Sequence, residues 1–133
     1  MAITRNEIYN YIEGKVNTTA RPVYCSTRLE PVAETFPALY LAETSKREPF
    51  KYVTLQFDGG VVEVTWEAQV FSNDSDDGVQ ECHTIMDDVA SAFRDLKFTM
   101  TFCSEIPNND PSVYRMVARF YRVYGGGNKI PTT

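Results

Sequence analysis

The stretch from Val61 to Glu105 constrains the fold more than any other, because its apolar period is two, becomes about 3.6, and then returns to two. Between Val61 and Phe71, Val62, Val64, Trp66, Ala68 and Val70 fall on one face, and Glu63, Thr65, Glu67 and Gln69 on the other. That alternation marks a strand with one buried face. After Ser72-Asn73-Asp74-Ser75-Asp76-Asp77-Gly78, the residues Val79, Cys82, Ile85, Met86, Val89, Ala90, Phe93 and Leu96 recur at spacings of three and four. They predict one apolar stripe on a long helix, with Glu81, His83, Asp87, Asp88, Arg94 and Asp95 mostly outside it. From Lys97 to Ser104, Phe98, Met100 and Phe102 alternate with Thr99, Thr101 and Cys103, giving a second strand. Stripes of this length leave water only by packing on each other, so a helix on a sheet is the minimal unit of the fold. Trp66, Ile85, Val89, Phe93 and Met116 are the expected centre of that packing.

The remaining elements attach to this unit. Thr4-Arg5-Asn6-Glu7 reads as a capping box, with Ile3 and Ile8 as a hydrophobic staple. Ile8, Ile12 and Val16 then predict a short helix over residues 5–15. Pro22, Pro31, Pro37 and Pro49 break the next stretch into short pieces, of which Val23–Ser26 and Ala38–Ala42 are expected strands. Lys46-Arg47-Glu48 reads as an exposed loop tip between Thr44 and Pro49. Tyr52–Phe57 is expected to form a hairpin with the Val61 strand through Asp58-Gly59-Gly60. Beyond the Ile106–Pro111 loop, Val113–Tyr124 alternates without interruption and predicts a strand of roughly 40 Å. A helix of about 20 residues returns about 30 Å, so the strands flanking it should run parallel, and the last strand should run antiparallel to its predecessor. The fold class is α+β: a mixed, mainly antiparallel sheet packed against one long helix, with a short N-terminal helix. Residues 1–124 form the expected single domain, and 125–133, beginning Gly125-Gly126-Gly127, a flexible C-terminal segment.

Composition narrows the function. A net charge of −5 argues against a protein that grips nucleic acid by its phosphates. Cys25, Cys82 and Cys103 are odd in number and widely spaced, which points to free thiols in a reducing cytoplasm. No apolar run is long enough to span a membrane, and the start Met1-Ala2-Ile3-Thr4-Arg5 has no signal-peptide core, so no membrane role is expected. The acidic run at 73–78 resembles a calcium loop, but the twelfth position, where a bidentate Glu belongs, is Thr84. Capping of the long helix explains the same residues. Cys82 and His83 point about 100° apart on a helix, which makes a core cysteine and a surface histidine rather than a ligand pair. No metal, cofactor or catalytic set is indicated, and an enzyme is not expected.

The last strand carries the anomaly. Tyr114, Met116, Ala118 and Phe120 form one side, but the other, Val113, Arg115, Val117, Arg119, Tyr121 and Val123, is too apolar to face water. Either the first helix covers it or another subunit does. Arg115 and Arg119 are expected to make polar contacts, with Glu63 and Glu67 or with carboxylates of a neighbouring copy. Tyr121 shares that face, and the projecting candidates for partner contacts are Lys46, Arg47 and Glu48, and Asn108, Asn109 and Asp110.

Val64-Thr65-Trp66-Glu67-Ala68-Gln69-Val70-Phe71-Ser72-Asn73, the helix, Pro107-Asn108-Asn109-Asp110 and Val113-Tyr114-Arg115-Met116-Val117-Ala118-Arg119-Phe120 together resemble the tail terminator (tail completion) proteins of long-tailed bacteriophages. The likeness runs from the first helix to about Tyr124. It implies a virion component of the tail and neck, assembled in the host cytoplasm as a homohexameric ring. Such a ring ends the tail tube, meets a head connector or stopper protein, and lets DNA pass through its channel. A head-closure or connector adaptor protein is the neighbouring alternative, and a small-molecule-binding domain the alternative from another class. No catalytic residues come with the resemblance.

Overall fold

The computed structural model describes residues 5–27, 36–47, 62–107 and 111–124. The N-terminal helix, α1 (Arg5–Val16), buries the expected stripe of Ile8, Ile12 and Val16 completely. Its capping box and staple begin at Ile3 and Thr4, outside the described residues. The strands are β1 (Tyr24–Ser26), β2 (Ala38–Arg47), β3 (Val62–Ser72), β4 (Thr99–Glu105) and β5 (Tyr114–Tyr124), and the long helix α2 (Gly78–Asp95) joins β3 to β4.

Among the described residues these five strands form one sheet in the order β1-β2-β3-β5-β4. Only β1 and β2 are parallel; the other pairs are antiparallel. Because β3 and β4 both run against β5, they run parallel to each other, as the length of the intervening helix requires. The fold is α+β with a mixed, mainly antiparallel sheet.

One face of the sheet and both helices enclose the core. Trp66, Ile85, Val89, Phe93 and Met116 are all buried there. Phe93 is the hub: its ring stacks on Phe120 at 4.2 Å, meets Phe98 edge-on at 5.2 Å and lies 6.1 Å from Trp66. Helix α2 ends with Phe98 N–H bonded to Phe93 C=O and Lys97 N–H to Arg94 C=O, a Schellman closure that puts Lys97 at φ 68°, where glycine is usual. Arg122 reaches across to donate to the Leu96 carbonyl, so a strand residue helps satisfy the helix end.

Four expectations are corrected. The strand beginning at Ala38 does not stop at Ala42 but runs to Arg47, so Lys46 and Arg47 lie in β2 opposite Val64 and Glu63 rather than on a loop tip. Backbone pairing tolerates the polar run Glu43–Arg47, and a bulge at Thr44, whose hydroxyl donates to Thr65 C=O at 3.3 Å, absorbs the break in alternation. Secondly, both edges of β3 are taken, by β2 and β5, from Glu63 to Phe71; the expected hairpin strand Tyr52–Phe57 lies outside the described residues. Thirdly, α1 packs beside α2 on the core face, where Ile8, Ile12 and Val16 join the cluster around Trp66 and Phe93. Tyr11 donates to Asp95 at 3.0 Å and Arg21, just beyond α1, pairs with Asp88, so the first helix does not cover the opposite face. Lastly, Val79 is 40% exposed and is not part of the buried stripe. The buried residue in that turn is Gly78.

Candidate interaction surface

The face of the sheet turned away from the helices carries a polar ladder between β3 and β5. Glu67 lies directly opposite Arg119, and Arg119 Nε donates to Glu67 Oε1 at 3.2 Å. The other Glu67 oxygen accepts from Gln69 Nε2 at 2.9 Å, and Gln69 Oε1 accepts from Arg115 Nε at 3.0 Å. One chain of hydrogen bonds thus runs Arg119, Glu67, Gln69, Arg115. Aromatic rings flank it: the Arg119 guanidinium lies 5.3 Å from the centre of the Phe102 ring, and that of Arg115 lies 6.0 Å from Phe71. Gln69 and Val117 are buried at the middle of this face, while Arg119 and Phe102 are exposed.

Glu63, Glu67, Arg115, Arg119 and Tyr121 therefore share one face as expected, but Arg115 does not meet Glu63. The antiparallel register sets Arg115 opposite Phe71, eight residues along β3 from Glu63, so its diagonal neighbour is Gln69. Glu63 instead accepts from the Tyr121 hydroxyl at 2.7 Å, again on a diagonal. Gln69 is placed on this face by the alternation of β3 but is not among the expected contact residues, and Phe71 and Phe102 are additions to the surface. Phe71 was detectable from its parity with Glu67. Phe102 was not, because a bulge between Met100 and Phe102 moves it to the Arg119 side of the sheet.

The second feature is a cleft of about 350 Å³ at the N-terminal end of α2. Val79 and Cys82 of the helix, Ile106, Pro107 and Pro111 of the following loop, and Tyr114 of β5 give it an apolar lining, with Glu105 and Arg115 also on its wall. Gly78 makes this end of the molecule possible, since a Cβ there would fall 2.1 Å from Cδ2 of the Tyr114 ring. Cys82 Sγ sits 3.7 Å from the Tyr114 carbonyl and 3.8 Å from that of Val70. Burial, with Glu81 and Glu105 nearby, pushes its pKa up to about 12, so the thiol stays neutral at physiological pH and is a packing group. His83 lies 3.5 Å from Glu105 on the helix surface.

No family model matches this sequence, and no curated protein matches it. The functional reading therefore rests on the residues and their geometry.

The acidic turn before α2 is organised by its own backbone. The Asp74 carboxylate accepts from Asp76 N–H at 2.9 Å and Asp77 N–H at 3.1 Å, bonds that hold its pKa below the usual range. Buried Ser72 accepts from Asp74 N–H and donates to Glu81 of the first helical turn. These bonds order the turn that leads into α2 rather than cap it: Asp77, at the N-cap itself, makes no side-chain cap bond, so the capping expected of the acidic run is not found there. Among the described residues no group of three His, Cys, Asp or Glu side chains is placed to hold a metal ion, and no helix is long and apolar enough to cross a membrane.

Of the projecting candidates, Lys46 and Arg47 sit at the end of β2, and Glu48, Asn108, Asn109 and Asp110 lie outside the described residues. The residues bracketing the second group, Pro107 and Pro111, line the cleft.

Proposed function

We propose that this chain is a structural subunit of a phage neck, not an enzyme, and that copies of it form a homohexameric ring. The ring terminates the tail tube and joins it to the head connector or stopper. The observation that carries this reading is the two-sidedness of the sheet. Both helices pack on one face, while the other presents guanidinium groups over aromatic rings on a ladder spanning the two longest strands. Arginine and aromatic side chains are the types enriched at the centres of protein interfaces. A net charge of −5 suits a channel that lets DNA slide through without holding it.

The test adds the purified chain to polymerising tail tube protein from the same virion and follows tube length by electron microscopy, with the oligomeric state measured separately by sedimentation. The reading expects rings, and tubes whose growth stops with one ring at the end. Binding to the connector with no effect on tube growth would move the chain to the adaptor role. A strict monomer that leaves tube growth unchanged and binds or turns over a small molecule would overturn the structural reading altogether.

A further inference from the structure

The cleft beside α2 is an apolar recess in which Val79, 40% exposed, has no role in the core of its own chain. Its charge is lopsided. Glu105 stands on its wall, 3.5 Å from His83, and the exposed Asp76 and Asp77 lie three and two residues before Val79. Among the described residues the one cation on the wall is Arg115, which is engaged by Gln69 and lies over Phe71 on the sheet face. A fitting occupant brings an aliphatic group together with a positive charge.

The sequence after β5 contains that combination once. In Gly125-Gly126-Gly127-Asn128-Lys129-Ile130-Pro131-Thr132-Thr133, Lys129 is the single charged side chain and Ile130 the single large aliphatic one. A residue before proline favours an extended backbone, so the Ile130-Pro131 sequence would lower the ordering cost of docking.

Length decides which copy's segment reaches the cleft. Tyr114, on the cleft, and Tyr124, where the described chain ends, are the two ends of β5. Ten residues of strand separate them by roughly 33 Å. Ile130 follows Tyr124 by six residues, a reach of at most about 22 Å even when fully extended. The segment falls short of its own cleft, but a neighbouring copy placed with its Tyr124 end near this cleft has no such limit.

We propose that the cleft formed by Val79, Ile106, Pro107 and Tyr114 receives Lys129–Pro131 of a second copy, with Ile130 in the recess and Lys129 against the acidic rim. The contact joins unlike surfaces, so it propagates head to tail and closes into a ring when the rotation between copies permits. The inference rests on the self-assembly in the function proposed above, not on what the ring attaches to.

The experiment uses full-length protein with Cys103→Ser throughout, to remove the exposed native thiol. Val79→Cys protein labelled with heavy nitrogen is mixed with unlabelled Ile130→Cys protein under mild oxidation, and disulfide-linked peptides are mapped by mass spectrometry. A parallel mixture replaces Val79→Cys by Thr84→Cys, exposed on the same helix but outside the cleft. A docked segment raises the local thiol concentration, so heavy-to-light links between positions 79 and 130 should exceed links between 84 and 130 by at least about tenfold. Equal yields overturn the proposal. If the unmodified chain nonetheless sediments as a ring, only the docking proposal falls. If it sediments as a monomer at every concentration, the ring falls with it.

Discussion

Replacing Phe93 by alanine tests the core most directly. The ring is fully buried, and it touches three other aromatic rings from two elements outside its own helix: Trp66 of β3, Phe120 of β5 and Phe98, which precedes β4. Phe-to-Ala changes in cores cost about 3–5 kcal/mol through lost transfer energy and the cavity left behind. Each aromatic pair adds about 0.5–1.5 kcal/mol beyond area. The site cannot collapse easily, because its walls are two sheet residues and a strand entry held by backbone ladders, so the upper half of that range, about 4–5 kcal/mol, is expected. With a urea m-value of about 2 kcal/mol per molar, the midpoint falls by about 2 M. Equilibrium urea unfolding followed by Trp66 fluorescence measures this, since Trp66 is the single tryptophan. Phe102→Ala is the internal comparison. Phe102 is 38% exposed and lies under Arg119, so its loss should cost about 1 kcal/mol or less. If Phe93→Ala cost under about 1 kcal/mol, or no more than Phe102→Ala, the assignment of the helix face would be wrong.

Four further outcomes are expected. A double-mutant cycle on Glu67 and Arg119 should give a coupling of about 0.2–1 kcal/mol, because Arg119 is more than half exposed, while the Glu63–Arg115 cycle should give none; the reverse ranking would refute the register. Gly78→Ala should destabilise by about 1–3 kcal/mol through the clash with Tyr114, and most of that loss should vanish in a Tyr114→Ala background; simple additivity in thermal melts would exclude the close approach. Lys97→Gly should stabilise the fold by about 1 kcal/mol by relieving a left-handed residue, and a destabilised variant in the urea titration would count against the Schellman closure. In alkylation at pH 8 followed by mass spectrometry, exposed Cys103 should react first and Cys82 only after unfolding. With the Cys82 pKa raised to about 12, roughly one thiol in ten thousand is ionised at that pH, so early Cys82 labelling would contradict its burial.

The parts of the fold legible in the sequence were those where packing and periodicity agree. The stripes of β3, α2 and β5 are read by the same buried surface, so Trp66, Phe93 and Met116 could be placed from spacing alone. The second half of β2 was hidden because Glu43–Arg47 joins the sheet through its backbone, which leaves no apolar signature. The neighbour of β3 was misjudged because Asp58-Gly59-Gly60 is a strong local turn signal, whereas pairing of Ala38–Arg47 with β3 is a long-range choice. The side taken by α1 was equally undetermined, since an Ile8, Ile12, Val16 stripe fits either face of a sheet. On the candidate surface, Arg119 and Glu67 were found by parity, but Phe102 and the cleft depend on a bulge and on Gly78 beneath Tyr114, neither of which has a period.

The strand order also governs when this molecule can exist during its own synthesis. β5 lies between β3 and β4, and its register with β3 joins residues 42 positions apart at Ser72–Tyr114 and 62 apart at Val62–Tyr124. Closing such distant pairs carries a large entropic barrier, which places the chain among the slower folders of its size. As the polypeptide emerges from the ribosome, β4 appears before its one neighbour among the described strands, and α2 appears before half of the sheet that will cover it. The apolar side of α2 must wait in water, or in the grip of a chaperone, until β5 is released and inserts, so the last of the described strands to be translated is the one that closes the core.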